Sequence, residues 1–362
     1  MYPSRISRQE NALGSKHVVC AKYLAQSYIK EVMRKKGKTN MKKRTTKFIC
    51  LLLVLILAMS MLTACGNKEG GSNGGNTAKV DKPTEDREGN AIELPDEINK
   101  IAVFAPSIMQ MVEAFGVTDK VIAIDTNTPM YVEGMDSVMQ FNMMEPDVEK
   151  IAELEPDVVF TTGMSYQGND PYAALREMGI CVITIPTSSS IEAIKEDITF
   201  VGDCLGGDAV AKAKEINDEF QAQIDEVAAI GAAVTEKKKV LFEIYPLYSM
   251  GKGTYIDEML SIIGAENIFG DQEGWVPVSE EDAVAANPDV ILSSVNYMDA
   301  VSEILARPGW ENVNAVANKE VYYIDNGSAE LPNQNIIKAL KQMAEAVYPD
   351  LYEYEDLMEP AA

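Results

Sequence analysis

Residues 149–159 read Glu-Lys-Ile-Ala-Glu-Leu-Glu-Pro-Asp-Val-Val, and residues 281–291 read Glu-Asp-Ala-Val-Ala-Ala-Asn-Pro-Asp-Val-Ile. In both stretches Pro-Asp ends a short helical pattern, because the residue before proline disfavours the helical conformation, and an apolar strand pattern follows. The glutamate and the proline are seven residues apart in each copy. The repeat predicts that one chain folds into two similar lobes.

Apolar strand patterns alternate with helical patterns on both sides of this repeat. The predicted strands are residues 101–104, 121–124, 158–161, 181–185, 240–244, 290–293 and 321–324. Strands that alternate with helices favour parallel sheets with helices on both faces. Residues 191–237 are rich in Ala, Glu, Lys and Gln, and they predict a long connecting helix over about 208–229. We therefore expect a first lobe over 86–200, a connecting helical region over 201–237 and a second lobe over 238–362.

A leader pattern lies ahead of the two lobes. Met-Lys-Lys-Arg at 41–44 precedes an apolar run of 15 residues, 48–62, and the run ends in Leu-Thr-Ala-Cys at 62–65. A membrane-spanning helix needs about 20 apolar residues, so the run is typical of a secretion signal rather than a retained span. The last four residues resemble a bacterial lipobox, in which the cysteine receives a lipid. The sequence thus predicts a signal peptide over 41–64 and a lipidated Cys65.

The regions that flank the leader carry further predictions. Residues after Cys65 are rich in Gly, Ser and Asn, which is typical of a flexible tether, here predicted over 65–85. Two acyl chains on Cys65 would anchor the protein stably on the extracytoplasmic face of the cell membrane. Residues 1–40 lack a clear apolar periodicity and lie upstream of the basic start. We therefore expect translation to begin at Met41, with 1–40 a non-native or untranslated extension.

The charge balance bears on the kind of partner. The chain carries 32 Lys and Arg against 56 Asp and Glu, and residues 65–362 keep 19 of the former and 54 of the latter. Such a surface repels phosphate backbones, which are bound mainly through basic side chains. We exclude nucleic acid as a partner.

Histidine and cysteine usage narrows the chemistry further. His17 is the one histidine of the sequence, and it lies in the predicted leader region. The mature chain therefore lacks the residue needed for Ser-His-Asp or Cys-His catalysis and for the common imidazole metal sites. Cys181 and Cys204 remain in the folded part, where Cys181 reads as a buried strand residue and a disulfide between the two stays open. We expect no cofactor, no metal site and no enzymatic activity.

Several segments together carry a family resemblance. They are residues 101–107 (Ile-Ala-Val-Phe-Ala-Pro-Ser), 149–159, 251–260 (Gly-Lys-Gly-Thr-Tyr-Ile-Asp-Glu-Met-Leu), 264–269 (Gly-Ala-Glu-Asn-Ile-Phe), 278–281 (Val-Ser-Glu-Glu), 308–310 (Pro-Gly-Trp) and 315–322 (Ala-Val-Ala-Asn-Lys-Glu-Val-Tyr). In order and spacing they resemble the siderophore and cobalamin group of periplasmic-type binding proteins. The resemblance runs over about residues 98–349. It implies an α/β fold in which a single long rigid helix joins two Rossmann-like lobes with parallel sheets.

The resemblance also implies how such a protein works. The ligand lies in the cleft between the lobes, and one surface glutamate on each lobe docks onto the permease dimer of an ABC importer. By position these are Glu149 and Glu281. A glutamate in the first turn of a helix is also favoured by the helix dipole, with Asp147 and Ser279 as the predicted N-caps. We expect a monomeric, extracellular substrate-binding lipoprotein.

Candidate ligand-binding residues follow from the rule that ligands lie beyond the carboxyl ends of strands in an open α/β sheet. The segments that follow the strands, and the loops between them, are rich in Tyr, Met and Trp, which offer large apolar faces with a polar tip. The predicted cleft residues are Ser107, Tyr131, Phe141, Met164, Tyr166, Tyr245, Tyr248, Trp275 and Tyr297.

The same segments suggest the ligand class. Iron-siderophore receptors of this group often carry a cleft arginine near the last strand, whereas residues 330–335 read Glu-Leu-Pro-Asn-Gln-Asn. An anionic catecholate or citrate complex is therefore disfavoured. A neutral or cationic iron(III) chelate is the preferred ligand, with a corrinoid, or haem held by tyrosine, as the alternative. A surface hydrolase or an adhesin remains a remote alternative, because no catalytic motif supports it.

Overall fold

A computed structural model describes residues 82–166 and 168–354 of the chain. Residues 80–362 cluster as one unit, which contains both lobes. The predicted extension over 1–40, the signal peptide over 41–64 and the lipidated Cys65 lie outside the described residues.

The first lobe is built on a parallel sheet in the order β3-β2-β1-β4-β5. Its strands are β1 (Ile101–Val103), β2 (Val121–Asp125), β3 (Met139–Phe141), β4 (Val158–Thr162) and β5 (Cys181–Ile185). The central strand β1 is buried on both faces, with Ile101 and Val103 in one apolar cluster and Ala102 in another. A strand that is buried on both faces reads as a continuous apolar run, which is why the sequence showed it clearly.

Three helices flank this sheet within the described residues. They are α1 (Pro106–Ala114), α2 (Val148–Glu153) and α3 (Ala173–Glu177). Helix α1 begins with proline at its first turn, where the missing N–H has no partner to lose. Helix α2 begins at the predicted cap, since the Asp147 side chain accepts the Lys150 N–H.

Two long helices connect the lobes, α4 (Ile191–Leu205) and α5 (Asp208–Gly231). Gly206 and Gly207 both have positive φ and form the turn between them. Helix α5 has 24 residues, which corresponds to a length of about 36 Å. Helix α4 packs on α1 of the first lobe and on α5.

The second lobe has a parallel sheet in the order β11-β10-β6-β8 and a small antiparallel pair, β7 and β9. Its strands are β6 (Lys239–Glu243), β7 (Tyr248–Met250), β8 (Glu266–Asn267), β9 (Trp275–Pro277), β10 (Val290–Ser293) and β11 (Val321–Tyr323). Its helices are α6 (Tyr255–Ile262), α7 (Glu280–Ala286), α8 (Ala300–Leu305), α9 (Asn314–Asn318), α10 (Asn326–Glu330) and α11 (Ile336–Val347). Helix α7 begins at the other predicted cap, Ser279, whose side chain accepts the Asp282 N–H.

One apolar cluster continues from the first sheet through the connecting helices into the second sheet. It includes Ile183 of β5, Ile198 of α4, Phe220 of α5 and Val240 of β6. The contact of α5 with the second lobe is close, because a Cβ on Gly231 would lie 2.0 Å from the carbonyl oxygen of Ile262. This continuous packing confirms the predicted α/β architecture of two lobes braced by a long helix.

The differences from the sequence predictions are local. Phe104, Ile244 and Ile324 each lie one residue beyond the strand that was predicted to include them. The sequence analysis missed the short strands β3 and β8 and the antiparallel β7–β9 pair. Cys181 lies on β5 and is half-buried, and both Cys181 and Cys204 are free thiols.

Candidate functional site

Each main sheet has a point at which its strand order reverses. In the first lobe the chain builds β1, β2 and β3 outward in one direction and then places β4 on the other side of β1. In the second lobe it places β8 on one side of β6 and β10 on the other. Loops diverge at such switch points and leave a crevice beyond the carboxyl ends of the strands, where ligands bind in open α/β sheets.

The switch point of the second lobe carries two aromatic side chains. Tyr245 follows β6 and Tyr297 follows β10, and their ring centroids are 5.9 Å apart at an interplanar angle of 39°. Both side chains are partly exposed. Burial raises the pKa of Tyr297 above its usual range, and nearby Glu243 and Glu330 raise it further. The pair therefore offers neutral phenols and apolar ring faces to a ligand.

A buried ion pair holds the turn that presents Tyr245. The backbone N–H of Leu247 donates to Glu243 Oε1 over 2.6 Å, and Leu247 has a φ of 59°. Arg307 binds the same carboxylate in a bidentate way, donating two hydrogen bonds of 3.0 Å to it. The Arg307 guanidinium also lies 4.6 Å from the centre of the Trp310 ring. These contacts stabilise a left-handed conformation that a leucine does not favour by itself.

Tyr248 and Trp275 lie on the antiparallel pair next to this turn. Tyr248 begins β7 opposite Pro277, and Trp275 begins β9 opposite Met250. Both side chains are partly buried and pack against the main apolar cluster. These two candidates therefore lie largely against the core, next to Tyr245 through the backbone bridge between Tyr245 and Tyr248.

The switch point of the first lobe lies between the ends of β1 and β4. Ser107 stands in the first turn of α1, and Met164 and Tyr166 follow β4, all three partly exposed. The Tyr166 hydroxyl is engaged within its own lobe, because it lies 3.0 Å from Arg176 Nη2 and 2.9 Å from Thr184 Oγ1. Its ring, rather than its hydroxyl, is the part left for a ligand.

Phe141 is placed differently from the other candidates. Its side chain is 7% exposed and lies in an apolar cluster of the first lobe. The ring meets Phe104 edge to face at 5.9 Å. Phe141 thus contributes to the core behind the first sheet.

Polar contacts connect the lobes on one side of the cleft. The Tyr131 hydroxyl donates to Asn326 Oδ1 over 3.0 Å. Asn333 Nδ2 donates to Gln110 Oε1 over 2.6 Å and also lies 3.4 Å from the Ser107 carbonyl oxygen. These pairs bring α1 and the β2 loop of the first lobe against the α10–α11 segment of the second.

A cavity of about 500 Å³ opens beside these contacts. Side chains from both lobes line it, among them Met130, Tyr131, Asn296, Tyr323 and Asn326. Met130 and Met298 are large apolar side chains that remain 51% and 43% exposed, one on each lobe. The described residues contain no group of three or more His, Cys, Asp or Glu side chains arranged to hold a metal ion.

The two candidate docking residues occupy equivalent positions. Glu149 is the second residue of α2 and Glu281 the second residue of α7, each two positions after its capping residue. Both side chains are exposed. Helices that connect parallel strands run antiparallel to them, so both helices begin at the cleft edge of their sheets.

Comparison with known proteins decides what class of molecule has this architecture. The match to the periplasmic binding protein family runs over residues 101–327, which is more than half of the chain.

The chain belongs to this family.

Several known proteins are similar to this chain in sequence or in structure. The chain is 29% identical over 325 residues to the ABC transporter substrate-binding lipoprotein YvrC of Bacillus subtilis, covering 86% of this chain and 99% of YvrC. It is 25% identical over 274 residues to a cobalamin-binding protein of Halobacterium salinarum, covering 73% of each. The molybdate-bound structure of MolA from Haemophilus influenzae superimposes with a TM-score of 0.66 at 20% identity, covering 76% of this chain and 94% of MolA. This periplasmic binding protein is therefore a substrate-binding component of an ABC importer and not an enzyme.

Sequence reasoning missed three polar residues that connect the lobes and one ion pair. Gln110, Asn333 and Asn326 look like ordinary helix and loop residues, and no local pattern marks them. The Glu243–Arg307 pair joins residues 64 positions apart. The signal that could have singled out Glu243 is a charged residue that ends an otherwise apolar strand.

Proposed function

We propose that this periplasmic binding protein captures an iron(III) complex, such as a siderophore, between its lobes and delivers it to the permease of an ABC importer. The observation that carries the proposal is the aromatic pair Tyr245 and Tyr297 at the second switch point. Their ring faces suit a bulky chelate more than a bare ion or a small sugar, because they bury a large apolar area. The partly exposed Met164 and Tyr166 add similar surface from the first lobe.

The charges of the strand ends support a neutral or cationic complex. The segments 104–107, 125–131, 163–166, 243–248, 293–298 and 323–330 contain no Lys or Arg. Lys338 lines the cavity between the lobes but is already paired with Asp325 at 3.3 Å, so an anionic catecholate or citrate complex would compete with Asp325 for this cation. Burying a charge that stays unpaired is unfavourable. Hydroxamate chelates avoid that penalty.

A corrinoid is the second candidate. The cobalamin-binding relative from Halobacterium salinarum favours it, since 73% of each chain is covered by the match. A corrinoid is broad, partly apolar and rich in amide groups, which suits tyrosine rings and polar side chains. Haem held by a tyrosine is the further alternative, because phenolate oxygen can bind ferric iron.

Delivery requires contact with the membrane partner. Glu149 and Glu281 are proposed to dock onto basic side chains of the permease dimer, one from each lobe of the monomer. Their identical positions in α2 and α7 support this assignment. The lipid on Cys65 is proposed to keep the protein on the extracytoplasmic face of the cell membrane, close to that permease. No helix in residues 82–166 or 168–354 is long and apolar enough to cross a membrane.

Thermal unfolding of the purified protein against a ligand panel tests the function. The panel contains a ferric hydroxamate, ferric citrate, haemin and cyanocobalamin. A ligand at about 100 times its dissociation constant adds about 2.7 kcal/mol to the free energy of unfolding, which corresponds to several degrees in Tm. A shift with the hydroxamate supports the iron proposal, and a shift with cyanocobalamin alone replaces it by the corrinoid. No shift with any member contradicts the proposed metal chelate.

A further inference from the structure

Asp125, Glu243 and Asp325 lie at or just beyond the carboxyl ends of β2, β6 and β11, and each has a partner that stabilises its charge. Asp125 accepts the backbone N–H groups of Asn127 and Met143. Glu243 is paired with Arg307, and Asp325 with Lys338 at 3.3 Å. The Asp325 pKa lies below its usual range despite burial, because hydrogen bonds from Ser328 and the Lys338 charge stabilise its ionised form.

A fourth carboxyl group, that of Glu330 at the end of α10, is held by side-chain hydrogen bonds instead of a cation or backbone N–H groups. Ser294 Oγ donates to Glu330 Oε1 over 2.6 Å, and the Asn326 side chain supplies a second hydrogen bond. Among the described residues, no Lys or Arg forms an ion pair with it. Burial raises the Glu330 pKa to about 7, so the protein surrounds this group with an environment that disfavours its charge.

The position of Glu330 places it on the ligand side of the second lobe. Its partner Ser294 directly follows β10, three residues before Tyr297, and the Glu330 charge acts on the Tyr297 phenol. Three residues after Glu330 the chain reaches Asn333, which contacts Gln110 and the Ser107 carbonyl of the first lobe. The Glu330 carboxyl is therefore held at the carboxyl end of β10, next to the loop that carries Tyr297.

We propose that Glu330 determines the ligand specificity of the cleft by selecting chelates that present a positive charge or N–H donors and by rejecting anionic ones. This inference rests on the proposed function of the same cleft. A carboxylate in a partly buried site forms charge-assisted hydrogen bonds with ammonium or amide N–H groups. The same carboxylate repels a second negative charge, and the repulsion is strong where water is scarce. The ligand class is therefore a cationic hydroxamate chelate or an amide-rich corrinoid.

One feature of the cleft favours anionic ligands instead of cationic ones. Helix α1 begins at Pro106 on the opposing lobe, and the amino terminus of a helix favours anions. If the ligand were an oxyanion bound at the start of α1, Glu330 would not determine the ligand specificity. The test must therefore include molybdate beside the metal chelates.

Titration calorimetry on the full-length protein in detergent, at pH 8, tests the proposal. The probes are ferrioxamine B, which carries a free ammonium group, cyanocobalamin, ferric citrate and molybdate. We expect the wild type to bind ferrioxamine B or cyanocobalamin and not the two anions. Glu330→Gln keeps the shape and removes the charge, and we expect it to weaken binding of that probe about tenfold or more. Glu330→Asp restores the charge and with it most of the affinity, whereas Glu266→Gln at the opposite edge of the sheet changes nothing.

The outcomes separate the two proposals. If the wild type binds one of the chelates but Glu330→Gln leaves the affinities unchanged, the assignment of Glu330 is wrong while the proposed function stands. Tight binding of ferric citrate or molybdate by the wild type overturns the selection against anions. If the wild type binds none of the four probes, the proposed ligand class fails and the role of Glu330 with it.

Discussion

At the scale of single residues, the Glu243–Arg307 pair has the clearest energetic role. Both side chains are buried, and Glu243 depends on Arg307 for its cation, whereas Arg307 also pairs with the partly exposed Glu303. Arg307→Ala would leave Glu243 without its cation and should lower the free energy of unfolding by about 3–5 kcal/mol. Urea unfolding at neutral pH measures this loss.

The matched control is an exposed ion pair between a basic and an acidic side chain of the same protein. Lys214 and Asp218 pair on the outer face of α5, where both side chains remain well exposed. Lys214→Ala should lower the free energy of unfolding by less than about 1 kcal/mol, because water replaces the lost contact. Equal losses in the two variants would contradict the structural role of Arg307.

The raised pKa of Glu330 predicts that the free energy of unfolding depends on pH. Its pKa is about 7 in the folded protein and lies above the usual value of 4.5. The unfolded chain therefore releases this proton at lower pH than the folded chain does. The stabilisation that this group gives the folded state is complete below about pH 4.5 and is lost as the pH rises to 7. Over this pH interval, the free energy of unfolding of the wild type should fall by up to about 3 kcal/mol relative to that of Glu330→Gln. Tyr255 and Tyr297, which also act on this carboxyl, titrate above it.

Guanidinium unfolding of the two proteins at pH 5 and pH 8 measures the difference. Because every other group is common to both proteins, their contributions cancel. A difference that is independent of pH would mean that Glu330 titrates normally in the folded state.

At the scale of elements, α5 is fixed by its close approach to α6. The Gly231 Cα faces the Ile262 carbonyl oxygen, which lies 2.0 Å from where a Cβ would be. Gly231→Ala must therefore push the end of α5 away from the second lobe and should destabilise the protein by about 1–3 kcal/mol. Thermal unfolding measures this effect. Ala229→Ser on the exposed face of the same helix should cost about 0.5 kcal/mol, and equal shifts would mean that the contact is not tight.

The short helices α2 and α7 present the proposed docking charges. Because Asp147 and Ser279 cap them in the same way, Glu149 and Glu281 project from equivalent points of the two lobes. Capping and docking are compatible roles, since the caps are used by backbone N–H groups and the glutamates remain exposed.

At the scale of the whole molecule, docking and ligand binding should be separable. Glu149→Arg combined with Glu281→Arg should abolish uptake of the ligand by cells, because the permease would meet repulsive charges at both lobes. Ligand affinity should stay within about twofold, since neither residue is among those that line the cavity between the lobes. Uptake of the labelled ligand and calorimetry of the purified variant are the two measurements.

The control for this variant makes the same charge change elsewhere. Glu153 ends α2 and Glu266 begins β8, so both lie at the edges of the sheets away from the cleft, and both are exposed. Glu153→Arg with Glu266→Arg should leave uptake intact. Normal uptake by the docking variant would remove Glu149 and Glu281 from the interface.

The sequence by itself determined the fold class, the family and the starts of helices α2 and α7. Buried parallel strands are continuous apolar runs, Pro-Asp ends helices, and capping side chains act on residues three positions away, so each of these signals is local. The sequence also predicted that Met164, Tyr166, Tyr245 and Tyr297 follow strands, and the ends of parallel strands meet at one edge of a sheet.

The tertiary structure decided what these residues do together. Tyr131 meets Asn326 across 195 positions of chain, and Arg307 neutralises Glu243 across 64. Phe141 belongs to the core and not to the open surface. No local pattern shows that Glu330 is buried without a cationic partner, because the environment of a carboxyl group depends on neighbours that only the packed lobes bring near. Glu330 is therefore visible as a candidate specificity residue in the folded protein alone.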